Sequence, residues 1–112
     1  PIYCVKHDDS EKCISISFDA AWGADDTIEI LNTLDKYNVK ATFFVTDGNS
    51  DYRYLLAKEA AAGHTVAIHS ATHDYKYIYS SCDAYFEDLQ KISDMVKNIE
   101  LTHSNECGLF LI

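Results

Sequence analysis

Two histidines, His69 and His73, stand four residues apart directly after the apolar segment that ends at Ile68. On one turn of helix this spacing would place both imidazole rings on the same face, where they can bind one metal ion. Histidine pairs with this spacing also occur on protein surfaces without any ligand. The spacing alone therefore leaves two alternatives, a two-histidine metal site and a pair without a chemical role.

A carboxylate, Asp19, follows the alternating apolar segment at residues 14–18. If this segment is a strand beside the one that precedes His69, the carboxylate can complete a histidine site or serve it as a base. An aspartate after a strand is also a common cap of a turn or helix. Both interpretations stay open on the residues alone.

The elements that must position these residues alternate along the chain. Period-two or β-branched segments predict strands, and apolar residues at spacings of three and four predict helices. The predicted strands are 13–18, 41–46 and 64–68, and the predicted helices are 24–37, 51–62 and 83–100. A polar and aromatic loop is predicted at 69–81, and 108–112 resembles the start of a fourth strand.

This alternation predicts an α/β fold with parallel strands and outer helices, because each helix between two strands serves as a crossover. In such folds the functional residues gather at the carboxyl ends of the strands. Residues 19–23, 47–49 and 69–73 occupy those positions. We therefore expect Asp19 and the two histidines at one edge of the sheet.

Composition narrows the class of protein. The 112 residues are 47% hydrophobic and carry a net charge of −9, from 9 basic and 18 acidic side chains. The length fits a single domain with its own core. An acidic chain without a basic stripe is repelled by phosphate backbones, so we expect no nucleic acid partner. No apolar segment approaches the eighteen residues of a membrane-spanning helix.

The cysteines do not indicate a structural zinc site. Cys4, Cys13, Cys82 and Cys107 include no C-x-x-C pair, which finger-type zinc sites require. Four cysteines allow three disulfide pairings, and free thiols packed as small hydrophobic groups are the alternative to all of them.

Three blocks of the chain resemble the polysaccharide deacetylases with the NodB homology domain, carbohydrate esterase family four. They are S-F-D-A-A-W-G at 17–23, K-A-T-F-F-V at 40–45, and A-G-H at 62–64 leading to H-S-A-T-H at 69–73. The resemblance covers about residues 14–99 and implies a distorted (β/α) barrel. A barrel of this kind takes about 200 residues or more, so we expect residues 1–112 to be one domain cut before the family's third motif.

The resemblance implies roles for three residues. His69 and His73 match the family's two metal-binding histidines, and Asp19 matches its general base. The bound divalent ion polarises an acetamide carbonyl and acidifies water, while the carboxylate takes the proton of the attacking water. Zinc is the expected ion, because histidine and carboxylate ligands suit it.

The chain departs from the family pattern at two points. Ala20 replaces an aspartate that is a metal ligand in typical members, so either Asp19 binds the metal directly or Asp25 or Asp26 supplies the missing oxygen. The D-A-A-W-G version at 19–23 resembles a branch of the family associated with spore-forming bacteria. The later R-x-P-Y and L-x-H motifs have no match, so we expect these residues alone to be weakly active or inactive.

Aromatic side chains flank the expected site. Trp22 and Tyr75 are candidates for stacking against sugar rings at the mouth of a cleft. For Tyr75, Tyr77 and Tyr79 the alternative is that they pack the long loop onto the body of the domain, and we favour that alternative.

The sequence thus predicts a carbohydrate N-deacetylase whose partner is an N-acetylated glycan, chitin-like or peptidoglycan. The family's substrates imply an extracellular or cell-envelope location for the full-length protein. The given residues contain no segment of the signal type, and we expect a processed or excised chain. Two alternatives stay open. One is a catalytically silent member that binds metal or glycan only, and the other is an α/β domain whose histidines have no role.

Overall fold

The computed structural model describes residues 12–20, 25–47 and 53–103. Strands and helices alternate through these ranges, which confirms the predicted α/β pattern. The elements are β1 (Ser17–Ala20), α1 (Thr27–Lys36), β2 (Thr42–Thr46), α2 (Arg53–Ala61), β3 (Thr65–Ser70), α3 (Tyr75–Ile78) and α4 (Cys82–His103). The strand expected at 108–112 lies outside the described residues.

The three strands form one parallel sheet in the order β1-β2-β3. Ser17 of β1 pairs with Thr42 of β2, which in turn pairs with Thr65 of β3. The chain crosses between neighbouring strands through α1 and α2, as parallel pairing requires. The carboxyl ends of all three strands therefore meet at one edge of the sheet, where the candidate residues were expected.

The hydrophobic core lies between one face of this sheet and the helices. Because side chains alternate along a strand, Phe18 and Ala20 pack against the core while Asp19 points to the opposite face. The buried side chains of the core are Leu31, Leu34, Ala41, Phe43, Val45, Leu56, Val66, Ile68, Ala71, Ile92, Met95 and Val96.

The end of α2 sets the start of β3. Gly63 has a φ of 80°, in the left-handed region that favours glycine. Its N–H donates to the carbonyl of Ala60, and the His64 N–H donates to the carbonyl of Glu59. This pair of bonds is the Schellman motif, which ends the helix and directs the chain into β3.

Two predicted strand boundaries are wrong, and both affect the site. β1 begins at Ser17 rather than residue 13, because β2 begins at Thr42 and offers no pairing residue before Ser17. β3 continues to Ser70, so His69 is a strand residue and not the first residue of a loop. The predicted loop at 69–81 also contains the short helix α3.

The buried face of α4 includes Ala84, Asp88, Ile92 and Val96, whereas Phe86 is 62% exposed. Two residues along a helix turn by about 200°, so Phe86 lies on the far side from both Ala84 and Asp88. No helix within the described ranges, α4 included, is long and apolar enough to cross a lipid bilayer.

Candidate active site

His69 lies at an irregularity of the sheet. Val45 of β2 pairs with Ile68, but the next residue of β2, Thr46, pairs with Ser70. His69 is therefore an extra residue on β3 with no partner on β2. Such bulges re-aim a side chain at the end of a strand, and here the re-aimed side chain lines a cavity.

The turn after β3 brings the second imidazole back to the first. His73 has a φ of 54°, in the left-handed region, where a residue with a side chain costs roughly 1–2 kcal/mol. Its N–H donates to Ser70 Oγ at 2.8 Å, which stabilises this conformation. The two histidines therefore meet across a tight turn, and the expectation that they share one turn of helix is wrong.

The two imidazoles converge through their Nε2 atoms, which are 3.1 Å apart. Their ring centroids are 5.0 Å apart and the ring planes are inclined by 30°. Nitrogen ligands at 2.0–2.1 Å from a tetrahedral zinc ion lie about 3.3 Å from each other. The pair therefore fits a divalent ion with little rearrangement.

One side chain from α4, Asp88, anchors the turn between the histidines. Its Oδ2 accepts hydrogen bonds from Ser70 Oγ at 3.0 Å and from the Ala71 N–H at 2.9 Å. Its Oδ1 accepts hydrogen bonds from the Thr72 N–H at 2.9 Å and from Thr72 Oγ1 at 2.8 Å. All three residues between His69 and His73 are thus bonded to a single carboxyl group.

The Asp88 carboxyl group is 6% exposed, and its ionisation reflects its partners. Burial by itself would raise its pKa, but the hydrogen bonds from Ala71, Thr72 and Ser70 outweigh burial and lower the pKa below its ordinary value. Asp88 is therefore a carboxylate at neutral pH. Hydrogen bonds to an ionised acceptor are about twice as strong as neutral ones.

Asp19 faces the same cavity as His69. The cavity has a volume of about 480 Å³, and its other lining side chains include Phe44, Tyr75 and Tyr79. The Asp19 side chain is exposed, so water and a bound molecule both have access to its carboxylate. The structure thus brings two of the three expected site residues, Asp19 and His69, to one cavity, with His73 at 3.1 Å from His69.

The structure does not bring Asp25 or Asp26 to the histidines. Within the described ranges no three His, Cys, Asp or Glu side chains group together as metal ligands. Asp26 lines a different cavity with Phe18 and Ile30, on the core side of β1 and away from Asp19. The expectation that Asp25 or Asp26 supplies the missing oxygen is therefore not supported by this arrangement.

Ala20 has a local structural reason to be apolar. Its side chain packs against the hydrophobic core, and its carbonyl accepts a hydrogen bond from Thr46 Oγ1 at 3.4 Å. The alternation of β1 thus turns position 20 toward apolar neighbours while position 19 faces the cavity.

Tyr75 stands over the histidine pair. Its hydroxyl lies 3.1 Å from His73 Nε2, and its ring stacks near that of Tyr79, at a centroid distance of 6.2 Å and an angle of 17°. The two tyrosines are 55% and 74% exposed. Packing of the loop onto the body, the alternative favoured from the sequence, is therefore wrong for them. Trp22 lies outside the described residues.

Sequence reasoning missed Asp88. The signal was present, because Asp88 falls four residues after Ala84 and four before Ile92, on the buried face of α4. An acid within an apolar helical face requires hydrogen-bond donors from a neighbouring element. The sequence contains no local pattern that identifies those donors as residues 70–72.

Comparisons with known proteins identify the family of this chain. Residues 6–106 match the model of a family described as polysaccharide deacetylase. A peptidoglycan-N-acetylglucosamine deacetylase from Bacillus cereus is 35% identical over 74 residues, which cover 65% of this chain and 27% of that protein.

Solved structures show the same fold. The catalytic domain of peptidoglycan N-acetylglucosamine deacetylase from Eubacterium rectale matches with a TM-score of 0.72 and 43% identity, over 87% of this chain and 43% of that one. Bacillus subtilis PdaA, a family 4 carbohydrate esterase, matches with a TM-score of 0.74 and 27% identity, over 93% and 43%. The expected fold class is thus confirmed, with three parallel strands described here. The chain spans less than half the length of these relatives.

Proposed function

Because the chain belongs to the polysaccharide deacetylase family, we propose that it is part of an enzyme that hydrolyses N-acetyl groups of a polysaccharide or peptidoglycan. The observation that carries the proposal is the convergence of His69 Nε2 and His73 Nε2, 3.1 Å apart, beside a cavity that Asp19 also lines. The general base and the two metal ligands of the proposed reaction thereby lie at one edge of the sheet.

In the proposed mechanism the two histidines hold a divalent ion, most simply zinc, which when bound supplies Lewis acidity to the acetamide carbonyl and acidifies water. The Asp19 carboxylate removes a proton from the water that attacks this carbonyl. Asp19 suits that role because it is exposed to the cavity.

The glycan is proposed to reach this site across exposed aromatic rings. Tyr75 and Tyr79 present stacked rings next to His73, and aromatic faces of this kind pack well against the apolar faces of sugar rings. Trp22 stays a second candidate for the same role. The relatives from Bacillus cereus and Eubacterium rectale are peptidoglycan N-acetylglucosamine deacetylases. This similarity supports an N-acetylated glycan of the cell wall as the substrate.

Two finer points accompany this proposal. The location that such a substrate requires is the cell envelope or the extracellular space. The D-A-A-W-G segment at residues 19–23 is proposed to mark a branch of the family in which the second aspartate of the motif is dispensable.

The metal site is tested by titrating zinc into the chain in a calorimeter. We expect one site in the parent chain and none in His69→Ala, because a single imidazole does not compete with water for the ion at micromolar concentrations. His64→Gln is the control, since His64 is buried beside Ala41 and Phe43, away from the cavity. No heat in the parent chain would refute the metal site.

Catalysis is tested separately by release of acetate from N-acetylglucosamine oligomers and from peptidoglycan, in the full-length protein that carries this chain. Asp19→Asn should abolish release while leaving zinc affinity unchanged, because Asp19 acts on water and is not grouped with the histidines as a third ligand. Unchanged acetate release in Asp19→Asn would contradict the proposed base. The 112 residues alone are expected to show little or no turnover.

A second candidate function is that of a silent member of the family, which binds metal or glycan without turnover. The observation that favours it is the position of Ala20, whose side chain faces the core and offers no ligand. Zinc binding and glycan binding without acetate release by the full-length protein would establish this alternative.

A further inference from the structure

We infer that Asp88 is a positioning residue of the proposed metal site, which acts on the two histidines through the backbone of the turn between them. The inference rests on the proposed function and names the residue that pre-organises its ligands. Asp88 is on α4, 19 positions from His69 in the sequence and in none of the three blocks that resemble the family.

The hydrogen bonds of Asp88 all come from the turn between the two histidines. Four donors converge on one buried carboxyl group: Ser70 Oγ, the Ala71 N–H, the Thr72 N–H and Thr72 Oγ1. An isolated turn would leave these groups to water, which enforces no single conformation. A carboxylate fixed on a helix holds them in one arrangement, because each of its two oxygens accepts two bonds.

The backbone conformation of His73 depends on hydrogen bonds that lead back to Asp88. A φ of 54° is uncommon for a residue with a side chain and must be stabilised by the surroundings. The His73 N–H donates to Ser70 Oγ, and Ser70 Oγ donates to Asp88 Oδ2. A chain of two hydrogen bonds thus runs from Asp88 to the backbone of the second histidine.

The conformation of the turn determines how close the two ring nitrogens lie. With the turn fixed, the two Nε2 atoms meet 3.1 Å apart, close to the separation that one ion demands. If the turn were released, the ordering of both rings would have to occur at the moment of metal binding, and affinity would fall. Groups that orient metal ligands in this way typically contribute 10–100-fold to metal affinity.

The test is zinc affinity of Asp88→Asn, measured by competition with a chelator in the full chain, with folding checked by circular dichroism. Asparagine has one oxygen and cannot serve both pairs of donors, so we expect zinc affinity to fall about 10-fold or more. The matched control is Asp94→Asn on the same helix, where the exposed carboxylate accepts a bond from Gln90 within α4 itself. Its zinc affinity should stay within about twofold of the parent value.

Two further measurements separate positioning from a general loss of stability. Ser70→Ala removes the two hydrogen bonds of Ser70 Oγ, from the His73 N–H and to Asp88 Oδ2, but leaves the three bonds from Ala71 and Thr72 to Asp88 in place. We therefore expect it to weaken zinc binding by about fivefold, less than Asp88→Asn does. Amide hydrogen exchange in the metal-free chain should accelerate at Ala71 and Thr72 in Asp88→Asn, with the amides of α1 unchanged. Acceleration throughout the chain would indicate a structural role only and would overturn the inference.

The outcomes distinguish this inference from the proposed function. Zinc binding by the parent chain that is unchanged in Asp88→Asn overturns the role of Asp88 and leaves the proposed function intact. Absence of zinc binding in the parent chain overturns both.

Discussion

Two helices each bury one carboxyl group, and the two groups have opposite surroundings. Asp88 of α4 accepts four hydrogen bonds from the turn after β3. Glu59 of α2 is 2% exposed, and its Oε2 has no hydrogen-bond partner among the described residues. Burial deprives both carboxyl groups of hydration. Among the described residues, Asp88 has hydrogen-bond donors in place of water, and Glu59 Oε2 has none.

The difference is visible in the ionisation of the two groups. Burial raises the pKa of Glu59 from the ordinary 4.5 to about 7, because nothing compensates the lost hydration of the charged form. The pKa of Asp88 lies below its ordinary value, because its donors outweigh the same cost of burial. A buried acid therefore binds other elements only where the fold supplies donors. Among the described residues, Asp88 of α4 has such donors and Glu59 Oε2 of α2 does not.

The largest effect is expected from removing the donor-rich carboxyl. Asp88→Ala leaves the N–H groups of Ala71 and Thr72 without acceptors inside the protein. We expect the free energy of unfolding, measured with urea at pH 7, to fall by about 2–5 kcal/mol, because each buried donor left unpaired costs about 1–3 kcal/mol. Asp94→Ala, on the exposed side of the same helix, should change it by no more than about 0.5 kcal/mol. Equal losses in the two variants would show that the hydrogen bonds of Asp88 add nothing to stability.

The second effect has the opposite sign. Glu59→Gln resembles the protonated acid, so at pH 8 the variant should be more stable than the parent by about 3 kcal/mol, the equivalent of the raised pKa. Glu29→Gln on the exposed face of α1 is the control and should change stability by less than about 0.5 kcal/mol. If Glu59→Gln were less stable than the parent at pH 8, the ionised Glu59 carboxylate would have to be stabilised by a partner.

The stability difference between the parent chain and Glu59→Gln depends on pH because the pKa of Glu59 is raised in the folded state. In the unfolded chain Glu59 ionises near 4.5, and in the folded chain near 7. Below pH 4.5 both states are protonated and the stability is complete, whereas between pH 4.5 and 7 the unfolded state loses its proton first and the stability falls. The advantage of Glu59→Gln over the parent chain should therefore vanish below pH 4.5. An advantage that is constant with pH would contradict the assignment.

Asp88 should show the reverse dependence at lower pH. Its folded pKa is depressed, so its contribution is present above the ordinary pKa of an aspartate and is lost as the pH falls through the folded value. The stability difference between the parent chain and Asp88→Asn should shrink in acid. Urea titrations from pH 5 down to pH 2 measure it, and a difference that grows in acid would invalidate the assigned direction.

The smallest effect is expected on zinc affinity when the Tyr75 hydroxyl next to His73 is removed. Its hydroxyl lies 3.1 Å from His73 Nε2 and competes with a metal ion for that nitrogen. Tyr75→Phe should therefore tighten zinc binding by about fivefold, the worth of one neutral hydrogen bond, and retain the ring that stacks on a sugar. Tyr79→Phe, whose ring is nearby and 74% exposed, is the control. A weaker zinc affinity in Tyr75→Phe would assign the hydroxyl a supporting role similar to that of Asp88.

Local sequence patterns were sufficient for most of the fold. Apolar periodicity identified three strands and three long helices, because this pattern depends on neighbours within a few residues. The patterns failed at residues 13–16 and at His69. Strand limits depend on where the partner strand begins, and the partner is distant in the sequence.

The site divides in the same way. The sequence by itself was enough to select Asp19, His69 and His73 as candidates, since their residue types suit proton transfer and metal binding and they follow predicted strands. Only the tertiary structure placed the Nε2 atoms 3.1 Å apart, separated Asp26 from them and assigned Asp88 to the turn. The physical reason is that a bulge, a left-handed residue and a buried carboxylate depend on hydrogen bonds between elements that are far apart in the chain.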